Sequence, residues 1–129
     1  MSVSASEAMQ SLTGDVIGAA IEVHKVLGSG YLESVYEAAL AVEMQLRGLA
    51  FARQYVIPLA YKGHSIGEGR LDFLVQNQLV VELKAVDALV PVHTAQVISY
   101  LRATRTKLAL LISFNVPVLK SGIRRIILD

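Results

Sequence analysis

The segment 70–84 constrains the fold more than any other part of the chain, because it predicts a β-hairpin that carries charged residues inside apolar strands. Alternation of apolar and polar residues predicts one strand over Arg70–Val75 and a returning strand over Leu79–Ala85, joined by a turn at Gln76–Gln78. One face of this hairpin is wholly apolar and is therefore expected to face the core. Its residues are Leu71, Phe73, Val75, Leu79, Val81 and Leu83.

Three ionisable residues share the other face of the hairpin: Asp72, Glu82 and Lys84. With the turn centred on Asn77, Asp72 lies directly opposite Glu82, and Lys84 follows on the same face. Opposed carboxylates repel across the ~5 Å between cross-strand Cβ atoms, so two acids beside an ammonium group favour a divalent-cation site. Two alternatives stay open. A two-residue Asn77-Gln78 turn would shift the pairing by one residue, and a network of satisfied ion pairs would need no metal.

Length and composition predict one intracellular domain. The 129 residues suffice for a single core over residues 11–129, preceded by a flexible N-terminus over residues 1–10. Cysteine is absent, which excludes disulfides, thiolate metal sites and cysteine catalysis. No signal peptide or membrane-spanning run is recognisable, so a cytoplasmic protein without membrane contact is expected. The hydrophobic content of 53% is high and suggests a partner surface, in a homodimer or a larger complex.

The net charge of +1 conceals an uneven distribution along the chain. Residues 1–87 carry 6 Lys/Arg and 10 Asp/Glu, whereas residues 88–129 carry 6 Lys/Arg and 1 Asp/Glu. The cations of the second part are Arg102, Arg105, Lys107, Lys120, Arg124 and Arg125. Such a set would suit a phosphate backbone. It would equally suit a helix and a loop that are simply solvated, since the overall pI is modest for a nucleic-acid-binding protein.

The remaining segments predict three helices around a mixed sheet, an α+β fold. Helical spacing favours helices over Thr13–Leu27 with Thr13 as N-cap, over Leu32–Arg47 and over Pro91–Thr104. The second helix is expected to bury a stripe of Leu32, Val35, Ala39, Val42 and Leu46. Apolar runs predict further strands over Phe51–Tyr61, Lys107–Phe114 and Ile123–Leu128. The order ααβββαβ, with a possible last strand, indicates a sheet covered by helices on its faces.

Two helices carry polar residues that could reach the charged face of the hairpin. His93, Gln96 and Tyr100 lie on one face of the third helix. Glu33 lies in the first turn of the second helix, where the helix dipole stabilises a carboxylate. Taken alone, each of these positions is explained by capping or by surface contacts.

Several motifs together resemble one known family. Gly30, Glu33 and Tyr36 form a G-x-x-E-x-x-Y pattern, and further matches are Ile21–His24, Asp72 with Glu82-Leu83-Lys84, Pro91–His93 with Gln96 and Tyr100, and Asn115–Ile126. Over about residues 11–128 the chain resembles the GxxExxY family, which is placed in the PD-(D/E)XK nuclease superfamily with a restriction-endonuclease-like fold. One departure is Leu71, which stands where a proline often precedes the first acid.

The resemblance implies a nuclease that hydrolyses phosphodiester bonds in DNA or RNA. Asp72 and Glu82 would bind Mg²⁺ or Mn²⁺, with Glu33 completing or supporting the metal shell. Lys84 would position the attacking water, and Gln96 would hold the phosphate or order Lys84. Accessory roles are implied for Tyr36, Tyr100 and His24. The residues expected to contact the nucleic acid are Arg102, Arg105, Lys120, Arg124 and Arg125.

Simpler explanations exist for several of these residues. Glu33 suits a helix start, Tyr36 a core position with its hydroxyl bonded, and His24 the last turn of a helix. His93, just after Pro91, suits a helix-start hydrogen bond. At the level of function, the alternative to a nuclease is a nucleic-acid-binding or protein-interaction module that keeps the fold without catalysis.

Overall fold

The computed structural model describes the backbone of residues 5–129 and the side chains from Glu7 onward. In this part of the chain the elements are α1 (Ala5–Leu27), α2 (Glu33–Leu46), β1 (Phe51–Tyr61), β2 (His64–Val75), β3 (Leu79–Lys84), α3 (Pro91–Thr104), β4 (Leu108–Ser113) and β5 (Ile123–Ile127). A 3₁₀ turn over Leu119–Gly122 precedes β5. The predicted order, including its optional last strand, is confirmed. None of the described helices is long and apolar enough to cross a membrane.

The five strands form one sheet in the order β1-β2-β3-β4-β5. Neighbouring strands are antiparallel except β3 and β4, which run parallel and are joined through α3. Both faces of the sheet are covered. Residues of α1 and α2 form one core cluster against the first face, and residues of α3 form a second cluster against the other face. Because β3 and β4 lie in the middle of the sheet, their apolar residues are buried on both sides.

The register predicted for the hairpin is confirmed. Phe73 lies opposite Val81 and Val75 opposite Leu79, which centres the turn on Asn77 and excludes the shifted alternative. The apolar face packs under α1 and α2 as expected, except that Leu71 belongs to the cluster on the α3 side. Strand β2 starts six residues before the predicted Arg70, at His64, and it pairs with β1 over most of its length.

The predicted start of the first helix is wrong. Residues 5–10, expected to be flexible, already belong to α1, whereas residues 1–4 of the predicted flexible segment lie outside the described residues. Thr13 is therefore not an N-cap. Its Oγ1 donates to the carbonyl of Met9 at 2.7 Å, a bond that a threonine makes inside a helix, and the residue is buried.

The stripe predicted to be the buried face of α2 is also wrong. Leu32, Val35, Val42 and Leu46 are exposed, and the helix instead buries Tyr36, Leu40, Ala41 and Met44. Helix α2 carries apolar residues at helical spacing on two different faces, and spacing alone does not decide which face meets the sheet. The face with Tyr36 and Met44 presents the larger side chains, which fill the space between α1 and the strands.

Pro58 fits its position in an edge strand. Strand β1 lies at the edge of the sheet, where a strand pairs on one side only and a proline is tolerated. One residue later the register between β1 and β2 shifts, with Leu59 opposite Gly67 but Ala60 opposite Ser65. The proline therefore lies in an edge strand next to a bulge.

Candidate active site

The ladder between β2 and β3 ends where the two acidic residues begin. The last paired residues are Phe73 and Val81. The part of β2 before Phe73 pairs only with β1, and the part of β3 after Val81 pairs only with β4. Beyond that point the N–H of Asp72 donates to Oε1 of Glu82, and the N–H of Leu83 donates to Oδ2 of Asp72, both at 2.8 Å. Carboxylates therefore take the place of backbone acceptors. This exchange fixes the orientation of both acids at the fork between the strands.

Burial raises the pKa of both carboxyl groups. Glu82 is only 4% exposed, and burial together with the charge of Asp72 raises the pKa of Glu82 to about 8. Burial raises the pKa of Asp72 to about 6, partly offset by the hydrogen bond from the N–H of Leu83. Two acids with raised pKa values in contact form a site where added positive charge is favourable.

Lys84 is held by a chain of hydrogen bonds from α3. Its Nζ donates to Oε1 of Gln96 at 3.3 Å, and Nε2 of Gln96 donates to the hydroxyl of Tyr100 at 3.2 Å. Burial, followed by the charge of Glu82, raises the pKa of Tyr100. The face predicted from the spacing of Gln96 and Tyr100 thus meets the hairpin.

A glycine lets α3 approach this closely. The ring of Tyr100 lies against Gly69 of β2, where an added Cβ would come within 3.1 Å of the tyrosine Cε1. Gly69 itself is buried. A side chain at this position would push α3, and with it Gln96, away from Lys84.

A second acid on α2 reaches the site and was not predicted. Glu37 accepts hydrogen bonds from Nε of Arg53 at 2.8 Å and from Nε2 of Gln54 at 2.5 Å. The same Gln54 nitrogen lies 3.3 Å from Oδ1 of Asp72, and the charge of Glu37 helps to raise the pKa of Asp72. Glu37 follows Glu33 by four residues, and this spacing was the signal that could have identified it.

Glu33 faces the same group of charges from the first turn of α2. The residue is exposed as a whole, but partial burial of its carboxyl group raises the pKa of Glu33, while the attraction of Lys84 lowers it. Among the residues that the structure describes, no three His, Cys, Asp or Glu side chains converge closely enough to hold a metal ion. Within this group of acids, Asp72 and Glu82 are joined directly by the bond from the N–H of Asp72 to Oε1 of Glu82. The charge of Glu33 acts on Glu82 from beside this pair.

Comparison with known protein families identifies the superfamily of the chain. A family model described as the PD-(D/E)XK nuclease superfamily matches residues 10–126, which is most of the chain. The chain belongs to this superfamily. Searches of the curated proteins and of the solved structures each found no match. The mixed five-stranded sheet flanked by three helices is consistent with the restriction-endonuclease-like fold expected of a PD-(D/E)XK protein.

The histidine at the start of α3 caps the helix of this PD-(D/E)XK protein. The N–H of Val90 donates to Nδ1 of His93 at 3.1 Å, and the N–H of His93 donates to the carbonyl of Val90 at 3.0 Å. This reciprocal pair satisfies donors at the helix start. The simpler explanation considered for His93 is therefore observed.

Tyr36 and His24 have structural contacts of their own. The hydroxyl of Tyr36 donates to the carbonyl of Gly28 at 2.6 Å, and its ring stacks on Phe114 with centroids 4.5 Å apart. Nε2 of His24 lies 2.8 Å from the carbonyl of Val116, and it must donate because a carbonyl only accepts. Both residues thus tie the α1–α2 region to the segment after β4. These bonds do not involve the acidic residues.

The basic residues do not form one surface. Arg102 and Arg105 lie at the end of α3, which leads into the start of β4. Lys84 of the candidate site pairs with Ser113 at the opposite end of β4. These two arginines therefore lie at the end of the sheet away from the acidic pair. Lys120 lies in the 3₁₀ turn. The cations that follow one another in the sequence are therefore spread over the fold, because the chain returns these segments to different ends of the sheet.

Two neighbouring arginines on β5 lie on opposite faces of the sheet. Arg124 pairs with Leu111, which belongs to the core cluster under α3, while Arg125 pairs with Leu110 of the cluster under α1 and α2. Leu111 in turn pairs with Glu82. Arg124 thus stands in the same row of the sheet as Glu82, two strand spacings or ~10 Å away.

Proposed function

We propose that this protein is a Mg²⁺- or Mn²⁺-dependent nuclease that hydrolyses phosphodiester bonds in DNA or RNA. Membership of the PD-(D/E)XK superfamily supports the reaction class. The observation that carries the proposal is the contact of Asp72 with Glu82 at the strand fork, next to the ammonium group of Lys84. The G-x-x-E-x-x-Y pattern supports a finer placement in the GxxExxY family.

The chemistry of the donor set fits a hard divalent cation. Asp72 and Glu82 each use one carboxylate oxygen to accept a backbone N–H. The second oxygen of Glu82 can bind a cation, and Oδ1 of Asp72 can do so by giving up its 3.3 Å hydrogen bond from Nε2 of Gln54. Mg²⁺ commonly binds one or two carboxylates and completes its shell with water and substrate phosphate oxygens. Two protein ligands are therefore sufficient. Positive charge placed here would also relieve the repulsion between the two acids.

The side chains around the pair have distinct proposed roles. A bound cation would lower the pKa of a coordinated water and offset charge on the phosphate. The ammonium group of Lys84 would orient the attacking water and stabilise its deprotonated form. Gln96 would keep Lys84 in place, and Tyr100 would do the same for Gln96, so both are positioning residues. Glu33 would support the site through water from the start of α2.

The proposal also includes a cellular location and a domain organisation. The absence of cysteine from all 129 residues suits work in the reducing cytoplasm. The two core clusters share one five-stranded sheet, which supports a single nuclease-like domain over residues 11–129.

A Mn²⁺ titration followed by calorimetry tests the metal site before any substrate is known. The wild type is compared with Asp72→Asn and with Asp15→Asn, a matched control at an exposed position of α1. Each titration is run alone and with a non-hydrolysable phosphorothioate oligonucleotide. Binding that is lost in Asp72→Asn and kept in Asp15→Asn supports the carboxylate site. A folded wild type that binds no Mn²⁺ in either titration contradicts the proposal and favours the non-catalytic module.

A further inference from the structure

Helix α2 carries a second apolar stripe that faces away from the sheet. Leu32, Val35, Ala39, Val42 and Leu46 recur at alternating spacings of three and four residues, and they are here called the outer seam. Leu32 and Leu46 are 75% and 76% exposed, and Val42 is 55% exposed. Apolar residues at this alternating spacing are typical of a helix that packs against another helix. Since α2 packs on the core through its other face, the outer seam, apart from the half-buried Ala39, lacks such a partner within the described residues.

Helix α1 extends this surface and forms a groove beside it. The groove is lined by Val23, Val26 and Leu27 of α1 and by Ala39 and Val42 of α2. Val26 is 72% exposed. A groove next to a row of protruding side chains offers holes into which apolar side chains of a second helix would fit.

The two ends of the outer seam are equally far in sequence from its central residue. Leu32, the N-cap residue of α2, precedes Ala39 by seven residues, and Leu46 follows it by seven. Val35 precedes Ala39 by four residues and Val42 follows it by three, so the inner pair is symmetric to within one residue. A twofold axis at Ala39 would therefore place each end of the seam against the opposite end of the same seam in a second copy. Self-complementarity of this kind is what an isologous interface requires.

The exposed apolar area is large enough for a stable dimer. Tyr31 and Val35 add to the four most exposed side chains of this surface, which are Val26, Leu32, Val42 and Leu46. Together the six residues expose roughly 600 Å², at the upper end of the 300–600 Å² of the largest patch on a typical monomer. This area is enough for the apolar part of the ~800 Å² that each partner contributes to a standard interface. The rim carries Glu43 and Arg47, which are paired with each other at 2.8 Å, and Glu22 of α1 also lines the groove.

We infer that the outer seam and its groove form the interface of a homodimer, with two α2 helices packed antiparallel around Ala39. This inference rests on α1 and α2 and does not depend on nuclease activity. The carboxyl groups of Glu33 and Glu37 lie on the side of α2 that faces the sheet. Both copies would therefore keep their acidic sites open in the dimer.

Sedimentation of single-residue variants tests the interface. The wild type is expected to sediment as a dimer from ~1 to ~100 µM, a range that covers typical affinities for interfaces of this size. Val42→Glu and Leu46→Glu should each raise the dissociation constant at least ~100-fold, because a twofold interface buries two unpaired carboxylates. Ile66→Glu is the matched control, since Ile66 is 62% exposed but lies on β2. Circular dichroism checks that each variant is folded.

The sedimentation results distinguish a second copy of this chain from any other partner on the outer seam. A wild type that is monomeric throughout the concentration range overturns the inference and leaves the surface to a different partner. A dimer that resists both seam variants, or that Ile66→Glu disrupts equally, overturns it as well. The Mn²⁺ titration of the wild type and of the seam variants should give the same affinity, so failure of the dimer and failure of the metal site are distinguishable.

A disulfide cross-link tests the position of the axis. Because the chain has no cysteine, a single introduced thiol can pair only with the same position in another copy. Ala39→Cys should form a disulfide-linked dimer within minutes under mild oxidation, since residues on the twofold axis meet the ~6 Å Cα separation that a disulfide needs. Ile66→Cys should remain largely monomeric. Equal cross-linking of the two variants would contradict an interface centred on Ala39.

Discussion

The N–H of Asp72 donates to the carboxylate of Glu82 at 2.8 Å, and this bond lies where β2 and β3 part. The carboxylate of Asp72 in turn accepts the N–H of Leu83. Each acid thus satisfies a backbone donor that the separating strands have left without a ladder partner. The same arrangement holds the half-buried Asp72 against the buried Glu82, so the geometry that builds the site also opposes the folding of the metal-free protein.

Asp72→Asn should stabilise the metal-free protein. The asparagine Oδ1 can still accept the N–H of Leu83, while the repulsion of Asp72 by Glu33 and Glu37 disappears. At pH 8, above the Asp72 pKa of about 6, the free energy of unfolding should rise by ~1–2 kcal/mol. Urea denaturation in the presence of a chelator measures it. Asp15→Asn should leave the urea midpoint unchanged, and a loss of stability in Asp72→Asn would show that its charge supports the fold.

The register at the site was predictable because two strands joined by a short turn leave few ways to pair. A turn centred on Asn77 fixes every partner of the hairpin, and the all-apolar face that results agreed with that choice. Gln96 and Tyr100 were predicted because helical spacing places them on one face, and in the structure Gln96 accepts a bond from Lys84 and donates one to Tyr100. Most residues of the candidate site could therefore be predicted from the periodicity of single elements and from the short turn of the hairpin.

The buried face of α2 was not predictable from spacing. Two apolar stripes compete on this helix, and only packing against α1 and the strands selects the one that contains Tyr36. Gln54 was missed for a related reason. It reaches both Glu37 and Asp72 from an edge strand, with a φ of 52° that a sequence does not reveal. The buried face of α2 and the contacts of Gln54 both depend on packing between segments that are distant in the sequence.

The metal-free protein should lose stability as the pH rises from about 5 to 8. The folded-state pKa of Glu82 is raised from 4.5 to about 8, so the native state binds this proton more tightly than the unfolded chain. Stability is then highest below the unfolded-state pKa and falls until the pH passes the folded-state value. A decrease of the order of 2–4 kcal/mol is expected. Denaturation with a chelator at several pH values measures the change.

Glu82→Gln provides the control for this pH dependence. Glutamine cannot titrate and is similar in size to protonated glutamate, so the variant should be nearly insensitive to pH above about 6. Below that value it should keep the smaller decrease that Asp72 contributes, because the folded-state pKa of Asp72 is about 6. Saturating Mn²⁺ should also flatten the wild-type profile if the cation binds the ionised pair. A wild-type stability that rises with pH between 5 and 8 would show that Glu82 is ionised in the folded protein.

Lys84→Ala should abolish cleavage without loss of the fold or of Mn²⁺ affinity. The side chain is partly exposed and its Nζ bonds Gln96, so its removal leaves the two acids in place. Gln96→Ala, which only releases Lys84, should reduce cleavage by ~10–100-fold. Both are assayed on an oligonucleotide that the wild type cleaves in a panel of DNA and RNA structures. Lys25→Ala, at an exposed position of α1, should behave as wild type. Persistent cleavage by Lys84→Ala would remove this lysine from the mechanism.

The two arginines of β5 should differ in their effect on nucleic-acid binding. Arg124 lies on the same face and in the same row as Glu82, whereas Arg125 projects from the other face. A phosphate backbone that passes over the acidic pair can therefore reach Arg124 but not Arg125. Arg124→Glu should weaken binding and lower the slope of log affinity against log salt by about one. Arg125→Glu carries the same charge change on the adjacent residue and is the matched control.

Fluorescence anisotropy with labelled oligonucleotides measures this difference. The measurements are made in the Asp72→Asn background, so that no substrate is cleaved during the titration. The salt dependence matters more than a single affinity, because each phosphate contact releases counterions and therefore steepens the slope. Equal losses in the two variants would mean that the arginines act through net charge rather than position. A larger loss in Arg125→Glu would place the nucleic acid on the α1–α2 face, away from the carboxylates.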